Sequence, residues 1–354
     1  MRNRIEDLQE NIAERFDGYL VTSETNMLYF SGFLGGAVML VPRGDEVVLH
    51  VRSVNYEAAK ATARNCSVNL VEQGEDPFKK VAEQIREQKL RKLGFDTMPY
   101  QTHQQLSRIL KRAVKLEPRS EFVWRLRRVK DNDEIENIRK AAKLTLEGMQ
   151  TACEIIKPGL PEREICTEIE YTMRKHGSHG VAFDTIVASG PHSVYPHGGS
   201  VGRKLQNGEL VIVDIGAKYN NYRADMSRTF IAGRATQKQE RLFSIVKMAQ
   251  DAAFHKMADG IKASKTDAVA RNVIKEAGYE RGFVHGLGHG VGLEIHEQPV
   301  LNPTSKDVLR ARNVVTDEPG VYIVGLGGVR IEDTVLVNKA NAERLTHGFY
   351  FLQQ

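Results

Sequence analysis

The chain has little of what several protein classes require. Its 354 residues include three cysteines and one tryptophan. Cys66, Cys153 and Cys166 are widely separated and odd in number, which predicts reduced structural thiols and excludes a disulfide framework or a zinc knuckle. The charged first residues lack the apolar core of a signal peptide, and no later segment is apolar enough to span a bilayer. We therefore expect a cytoplasmic protein without a membrane partner.

A strong charge of one sign is also missing, because the formal net charge is only +5. Basic residues crowd residues 108–130, but the only aromatic residues among them are Phe122 and Trp124. That is too few for the base stacking that nucleic-acid binding uses. We expect a solvated helix face there, followed by a linker, and no nucleic-acid partner. The glycines of residues 32–36 do not have the spacing of a dinucleotide-binding loop.

The length of the chain predicts two domains. Residues 1–122 alternate short β-like runs with amphipathic segments, which predicts a smaller α/β domain with its own sheet. The first sixteen residues carry one apolar stripe and predict a helix. Further predicted elements of this domain are the strands 18–23, 37–42, 46–51, 67–72 and 93–96 and the helices 52–63, 77–89 and 101–113.

Residues 128–354 are predicted to form the second domain, after a junction at about residues 117–130. Predicted helices are 131–156, 162–176, 237–259 and 265–277. Predicted strands are 183–188, 210–217, 222–231, 313–318, 321–324 and 328–337. Since strands dominate from residue 181 onward with helices grouped beside them, we expect an α+β domain.

Four carboxylates and one histidine of the second domain predict a metal site. They are Asp214, Asp225, His289, Glu318 and Glu332. Held inside a fold, the four negative charges would repel one another and be costly to bury without cations. Two divalent ions with a hydroxide between them would balance these charges, as in hydrolytic two-metal centres. Four oxygen ligands and one nitrogen favour Mn²⁺, with Co²⁺ or Fe²⁺ as alternatives, over zinc held by soft ligands.

The alternation of side chains along strands indicates how two of these acids meet. Asp214 and Asp225 are eleven positions apart, which suits two neighbouring strands of a hairpin that turns at Asn220 and Asn221. Gly216 shares a face with Asp214, and we expect it to leave open space beside the carboxylate.

The remaining ligands lie in equally specific surroundings. Glu332 is expected to share a face with Arg330, whose guanidinium group would then orient an acid and offset negative charge. His289 lies in a glycine-rich stretch, where backbone can approach a ligand closely. The glycines make a helical pair with His285 improbable, and the HExxH arrangement of helical zinc sites is missing.

Three further histidines are candidates for contacts with a substrate. A lone histidine is more often a satisfied structural side chain, because histidine does many jobs. His296 lies next to Glu297, His197 follows Tyr195 and Pro196, and His285 opens the glycine-rich stretch. Their association with the predicted metal site leads us to interpret them as hydrogen-bond donors.

Five stretches resemble the pita-bread metallopeptidases, the family of aminopeptidase P, prolidase and methionine aminopeptidase. They are VIVDIG (211–216), YRADMSRTF (222–230), HGLGHGVGLEIHEQP (285–299), VTDEPG (315–320) and GGVRIEDTVLV (327–337). The resemblance covers essentially the whole chain, with a creatinase-like N-terminal domain before the peptidase domain. It implies that the five residues named above bind two metal ions and that a water between the ions is the nucleophile.

The same resemblance assigns roles to other residues. It implies that Glu318 handles the proton of the water and that His197 and His296 contact the substrate carbonyl and the tetrahedral intermediate. It places His285, Tyr322 and Arg330 at positions that bind the substrate or support the site. It also implies a homodimer.

The preference among substrates is less strongly indicated. The N-terminal domain and His285 favour the proline-directed branch of the family, which acts on short peptides with proline at the second position. Many microbial prolidases carry an arginine just after the HExP segment, to bind the free carboxylate of a dipeptide, whereas Val300 follows HEQP here. This difference favours an Xaa-Pro aminopeptidase that cleaves longer peptides. The alternative is an Xaa-Pro dipeptidase whose carboxylate-binding arginine comes from elsewhere.

An inactive pita-bread binding module or a creatinase-type hydrolase without metals would share this layout, but the intact ligand set argues against both.

Asp317 stands where the family has an apolar residue, and alternation directs it away from the metals into sheet–helix packing. Because a buried unpaired carboxylate is costly, we expect a basic partner or nearby solvent.

Overall fold

The computed structural model describes residues 3–111, 113–199 and 201–352, so Arg112, within the predicted helix 101–113, lies outside the described residues. The chain divides into two compact units, Met1–Arg127 and Arg128–Gln354. Within the described ranges, no helix has both the length and the apolar character needed to cross a membrane.

The first unit is built on a six-stranded sheet with the strand order β4-β3-β2-β1-β5-β6. Its elements are α1 (Arg4–Ile12), β1 (Gly18–Val21), α2 (Glu24–Ser31), β2 (Val38–Pro42), β3 (Val48–Arg52), α3 (Ser53–Thr62), β4 (Ser67–Val71), α4 (Pro77–Glu87), β5 (Lys92–Phe95), α5 (Tyr100–Ile109), β6 (Lys115–Pro118) and α6 (Ser120–Arg127). The pairs β1–β5, β5–β6 and β3–β4 are parallel, and the other two pairs are antiparallel. The predicted α/β architecture of this region is confirmed.

The expectation of a linker at residues 117–130 is wrong. The strand β6 ends within this range, and the helix α6 fills most of it. Phe122, Val123 and Leu126 are buried, which gives the helix an apolar face despite its basic composition. The guanidinium of Arg125 lies 5.9 Å from the ring centroid of Phe122 and covers part of that face.

The described part of the second unit contains four α-helices, two short 3-10 helices and a set of small sheets. Its elements are α7 (Asn132–Ile155), α8 (Glu162–Lys175), β7 (Ile186–Ser189), β8 (Glu209–Ile215), β9 (Lys218–Tyr219), β10 (Tyr222–Arg223), β11 (Met226–Ala232), α9 (Gln237–Lys256), α10 (Ala263–Glu276), β12 (Gly288–Gly290), β13 (Glu297–Leu301), β14 (Val314–Asp317), β15 (Gly320–Ile323), β16 (Gly327–Arg330), β17 (Asp333–Val337) and β18 (Ala342–Arg344).

Three antiparallel groups of strands carry the residues of interest. One sheet has the order β11-β8-β7, a second has the order β13-β12-β14-β17-β18, and β15 pairs with β16. The strands β8 and β11 pair antiparallel, and the short ribbon β9–β10 between them turns at Asn220 and Asn221, which both have positive φ. The predicted hairpin and the α+β architecture are therefore confirmed.

The helices begin where their sequences provide caps. Asp131 accepts a hydrogen bond from the backbone of Glu134, whose side chain accepts one in return, and this capping box starts α7. Thr236 and Gln239 form the same arrangement at the start of α9. The helix α7 packs against α8 and α9 packs against α10, and their apolar faces bury two hydrophobic cores against the strands.

Two predicted strands are broken, and candidate ligands lie at the breaks. The predicted strand 222–231 divides into β10 and β11, with Asp225 between them. The predicted strand 328–337 divides into β16 and β17, with Glu332 between them, and Glu318 lies just after β14. These carboxylates belong to residues on irregular backbone between or just after strands. The alternation of side chains along a regular strand therefore does not predict where they point.

Two glycines are required by close contacts between backbones. A Cβ atom at Gly216 would lie 2.2 Å from the carbonyl oxygen of Ala224, so the expected open space beside Asp214 is instead filled by the neighbouring chain segment. A Cβ atom at Gly288 would lie 2.2 Å from the carbonyl oxygen of Thr316. The glycine next to His289 therefore lets β12 approach β14 closely.

Candidate metal centre and active-site cavity

Three of the predicted ligands converge directly. Asp225, His289 and Glu332 each offer a ligand atom, and these atoms all lie within 4.8 Å of one another. The Nε2 atom of His289 is 3.7 Å from an oxygen of Asp225 and 3.3 Å from an oxygen of Glu318. The last predicted ligand, Asp214, lies on β8 and lines the same cavity. The fold thus brings all five residues to one place.

The electrostatics of these carboxylates favour the binding of cations. Burial raises the pKa of Asp225 well above its ordinary value, and repulsion from Asp214 and Glu318 adds to the shift. Burial, together with Asp225 and Glu318, does the same to the pKa of Glu332. Burial raises the pKa of Glu318 to about 7, although the nearby Arg330 acts in the opposite direction. Cations placed among these carboxylates would reverse this repulsion.

Individual atoms also fit metal binding. The Oδ1 atoms of Asp214 and Asp225 are buried, and neither has a hydrogen-bond partner among the described residues. Burial lowers the pKa of His289, so its ring is neutral, and its Nδ1–H donates to the carbonyl oxygen of Gly290 at 3.0 Å. The lone pair of Nε2 is then directed at the acids, in the tautomer that metal-binding histidines commonly adopt. The donor set therefore fits divalent cations.

Arg330 connects several parts of the site. Its guanidinium group donates to Asp214 at 2.7 Å and to the hydroxyl of Tyr322 at 2.9 Å. Burial lowers the pKa of His285 to about 4, and its Nδ1–H donates to the carbonyl oxygen of Gly286. The Nε2 atom of His285 then accepts a hydrogen bond of 2.9 Å from Tyr322. Tyr322 thus supports Arg330 and His285, which both line the cavity.

His197 and His296 lie in the same cavity as the predicted ligands. The rings of His296 and His289 are in edge contact, with their centroids 4.3 Å apart. Burial lowers the pKa of His296, and the nearby His289 and His197 lower it further. His197 follows Pro196, whose carbonyl oxygen accepts a hydrogen bond of 3.1 Å from Arg330. A neutral imidazole ring such as that of His296 retains one N–H group that can donate to a substrate oxygen.

The cavity has a volume of about 470 Å³, and the five predicted ligands, the three histidines and Arg330 form part of its wall. The rest of its lining consists of Phe183, Asp184, Ile186, Pro196, Gly286, Gly288, Ile295, Val300 and Asn302. Within this described lining, Arg330 is the only arginine or lysine. A second cavity of about 530 Å³ adjoins it, because Asp184, Ile186 and His197 line both.

Two hydroxyl-bearing residues that hold the ligands were not among the predicted site residues. The hydroxyl of Ser227 donates to Glu332 at 2.7 Å and accepts from the Nε–H of Arg330 at 2.9 Å. The hydroxyl of Thr316 donates to Glu318 at 3.0 Å and accepts from the backbone N–H of His289. Ser227 and Thr316 each lie two positions from a candidate ligand in the sequence, and that spacing is the one signal that could have identified them.

The expectation that Asp317 has a basic partner or lies near solvent is wrong. The side chain is completely buried, and neither of its oxygen atoms has a hydrogen-bond partner among the described residues. Burial raises the pKa of Asp317 well above its ordinary value, whereas the charge of Arg344 acts in the opposite direction. Burial thus favours the neutral form of the carboxyl group, which has neither access to solvent nor a hydrogen-bonded basic partner among the described residues.

The fold and the cavity define a metallopeptidase with a separate N-terminal domain. Residues 136–339 match the model of metallopeptidase family M24, and residues 4–129 match that of the creatinase/prolidase N-terminal domain. The chain belongs to the M24 metallopeptidases, the pita-bread family that the sequence resembles, so it is a peptidase that uses divalent metal. The rival of an inactive binding module is thereby set aside.

Individual relatives match over nearly the whole chain. The Xaa-Pro dipeptidase of Pyrococcus furiosus is 38% identical over 351 residues, with 98% of each chain covered. The solved structure of a Xaa-Pro dipeptidase from Bacillus anthracis has a TM-score of 0.94 at 34% identity, covering 99% of this chain and 98% of that one. The X-Pro aminopeptidase of Thermotoga maritima MSB8 has a TM-score of 0.88 at 32% identity, covering 98% and 99%.

Proposed function

We propose that the protein hydrolyses the bond between an N-terminal residue and a following proline, with Xaa-Pro dipeptides as its substrates. The observation that carries this proposal is the convergence of Asp225, His289 and Glu332 within 4.8 Å in a cavity that Asp214 and Glu318 also line. The names of the relatives support the dipeptide: those from Pyrococcus furiosus and Bacillus anthracis are Xaa-Pro dipeptidases.

In this proposal the five residues hold two divalent ions, with Mn²⁺ as the first choice and Co²⁺ or Fe²⁺ as alternatives. Four carboxylates and one neutral imidazole suit these ions by ligand type and by charge. When bound, the ions would supply Lewis acidity towards the scissile carbonyl and activation of a water molecule. A homodimer, which the family resemblance implies, is part of the proposal.

Glu318 is proposed to handle protons. Burial raises its pKa to about 7 in the absence of cations, and bound cations would lower that pKa, so Glu318 would be ionised and able to accept a proton that it later returns. The hydroxyl of Thr316 holds one of its oxygens at 3.0 Å. Glu318 would take a proton from the attacking water and deliver it to the proline nitrogen as the peptide bond breaks.

His197 and His296 are proposed to stabilise the oxyanion. Both line the cavity beside the candidate ligands, and His296 is neutral at physiological pH because its pKa is lowered. Each ring would donate one N–H to the oxygen that becomes negatively charged in the transition state. His285 and Arg330 would complete the substrate-binding wall, and Tyr322, whose hydroxyl group hydrogen-bonds to both, would hold them in place.

A second candidate is the Xaa-Pro aminopeptidase reaction on longer peptides, which one observation favours. A dipeptide presents a free carboxylate, and the only arginine or lysine in the described lining of the cavity, Arg330, already donates to Asp214, Tyr322 and Pro196. Val300, at the position after HEQP, is 39% exposed and contributes no charge. A peptide that continues beyond proline would not need a cation there.

One experiment tests the proposal and separates the two candidates. Proline release from Ala-Pro is compared with alanine release from Ala-Pro-Gly, with Mn²⁺ supplied and Asp225→Asn as the control variant. Faster cleavage of Ala-Pro supports the dipeptidase, and faster cleavage of Ala-Pro-Gly supports the aminopeptidase. Failure to cleave either peptide, with metal bound, would refute both. Sedimentation of the same sample tests the dimer.

A further inference from the structure

The segment of residues 190–199, called here the His197 segment, forms a wall shared by the two cavities. It is irregular apart from a short 3-10 turn at Gly190–Val194. His197 lines both cavities. A side chain on irregular backbone is placed accurately only if other groups fix that backbone.

One buried carboxylate holds both sides of this segment. Glu162, at the start of α8, has no exposed surface. Its Oε1 atom accepts hydrogen bonds from the backbone N–H of Ser189 at 2.8 Å and from the Ser189 hydroxyl at 2.7 Å. Its Oε2 atom accepts from the backbone N–H of Val201 at 3.2 Å and from Nδ1–H of His192 at 3.4 Å. Ser189 precedes the His197 segment, and Val201 follows it.

Further hydrogen bonds make this support rigid. Arg203 donates to the hydroxyl of Ser189 at 2.6 Å and forms an ion pair with Glu209. The backbone N–H of Glu162 donates to the carbonyl oxygen of Arg203 at 2.9 Å, and that of Arg163 donates to Val201. Buried networks in which every member is satisfied fix a single arrangement of the groups they join.

We propose that Glu162 is a positioning residue, which holds His197 where its ring can donate to the oxyanion of the substrate. This inference rests on the proposed function, in which His197 contacts the reacting carbonyl. Glu162 does not line either cavity. It therefore acts through the backbone at Ser189 and Val201.

The variant Glu162→Gln tests the mechanism with a minimal change of shape. The remaining oxygen of the amide still accepts from Ser189, but the NH₂ group meets the N–H of Val201 as a second donor. We expect kcat for Ala-Pro to fall by about 10- to 100-fold, as for small displacements of catalytic groups. KM should change little, because the lost interaction belongs to the transition state. Metal content should equal that of the unchanged protein.

A double-mutant cycle with His197→Ala distinguishes positioning from general support of the fold. If Glu162 acts through His197, then Glu162→Gln lowers kcat by less than about twofold once His197 is already alanine. Equal losses in both backgrounds would overturn the proposal, and so would an unchanged kcat in Glu162→Gln alone. If Glu162→Gln does not fold, Ser189→Ala replaces it in the cycle. This variant removes one hydrogen-bond donor to Glu162 and keeps the carboxylate, and its effect on kcat should depend on His197 in the same way.

Asp96→Asn is the matched control. Asp96 is also a buried acid, and it accepts hydrogen bonds from the backbone N–H groups of Thr22 and Ser23 in the first unit. Its replacement should lower the melting temperature and leave kcat unchanged. If the unchanged protein cleaves Xaa-Pro bonds while Glu162→Gln has a normal kcat, only the positioning role fails. If the unchanged protein cleaves no Xaa-Pro bond, the proposed function itself is refuted, and the positioning role with it.

Discussion

Arg330 donates a hydrogen bond of 2.7 Å to Asp214, and both side chains are largely buried. The same guanidinium group donates to Tyr322 and to the carbonyl oxygen of Pro196, next to His197. One cation therefore offsets part of the negative charge of the candidate metal centre and joins it to the segment that carries a candidate catalytic histidine. The second oxygen of Asp214 has no hydrogen-bond partner in the described part of the chain and is available to a metal.

We expect Arg330→Lys to weaken both metal binding and catalysis. An ammonium group cannot reproduce the planar arrangement of donors that contacts Asp214, Tyr322 and Pro196 together. Groups that orient metal ligands typically contribute about 10- to 100-fold to metal affinity or activity. Metal titration and kcat for Ala-Pro measure the effect. Arg139→Lys, at an ion pair in which two guanidinium nitrogens contact Glu343 outside the cavity lining, is a control that should keep normal metal affinity and kcat.

Removal of metal should make stability depend on pH. In the unfolded chain Glu318 loses its proton near pH 4.5, whereas in the metal-free folded protein its pKa is about 7. Between these values the folded state holds the extra proton, so the free energy of unfolding decreases as pH rises, by on the order of 3 kcal/mol for this group. Asp225 and Glu332, with raised pKa values, act in the same direction.

Thermal unfolding from pH 5 to pH 8 tests this prediction. Protein treated with a chelator should lose melting temperature as pH rises, and protein loaded with Mn²⁺ should not, because the cations stabilise the ionised carboxylates. A chelated protein whose melting temperature is the same throughout this range would contradict the proposed ligand set.

Asp317→Val should stabilise the protein. The carboxyl group is completely buried without a hydrogen-bond partner among the described residues, and such groups cost about 1–3 kcal/mol. Valine suits the strand β14 and needs no partner. Denaturant unfolding should show a free energy of unfolding higher by that amount. A less stable variant would indicate that Asp317 has a partner that the structure does not show.

The facing residue provides a control of opposite sign. Asp333 pairs with Asp317 across β14 and β17. It accepts hydrogen bonds from Arg228 at 2.8 Å, from Gln250 at 2.7 Å and from Tyr350 at 2.7 Å. Asp333→Val would leave the fully buried Arg228 without its carboxylate, so we expect it to destabilise the protein by about 3–5 kcal/mol.

Val300→Arg should increase the preference for dipeptides. Val300 lines the cavity and is partly exposed, so a guanidinium group introduced there has room to meet the carboxylate of Ala-Pro. A hydrogen-bonded charge pair of this kind contributes about 1.5–3 kcal/mol, which corresponds to a KM lower by roughly 10- to 150-fold. Ala-Pro-amide, which lacks the carboxylate, should gain nothing. Equal gains for both substrates would show that the arginine acts in another way.

The long helices were predictable because their signals are local. Asp131 and Glu134 mark the start of α7, and Thr236 and Gln239 mark the start of α9. The helices α2 and α6 escaped prediction, since each is short and their buried positions include polar residues such as Asn26 and Arg127. Hydrogen bonds between residues far apart in the sequence offset the cost of burying these polar groups: Arg127 donates to Asn26 at 2.7 Å.

The site was predictable in its residue types and less so in its geometry. Carboxylates in apolar strands identified Asp214, Asp225 and Glu332 as candidates, because such groups are costly to bury without cations. Their exact placement depends on the breaks in the strands and on supporting hydroxyl groups such as Ser227, which the local pattern does not reveal.

The sequence by itself determined the α+β architecture and the set of candidate ligands, because periodicity, caps and charge in apolar surroundings are properties of short stretches. The family followed from the resemblance of five such stretches to the pita-bread metallopeptidases. Only the tertiary structure decided that Glu162 holds the residues on either side of the His197 segment and that Asp317 has no hydrogen-bond partner within the described ranges. It also decided that Arg330 is already engaged by Asp214. These are relationships between residues far apart in the chain, and each depends on which groups packing removes from water.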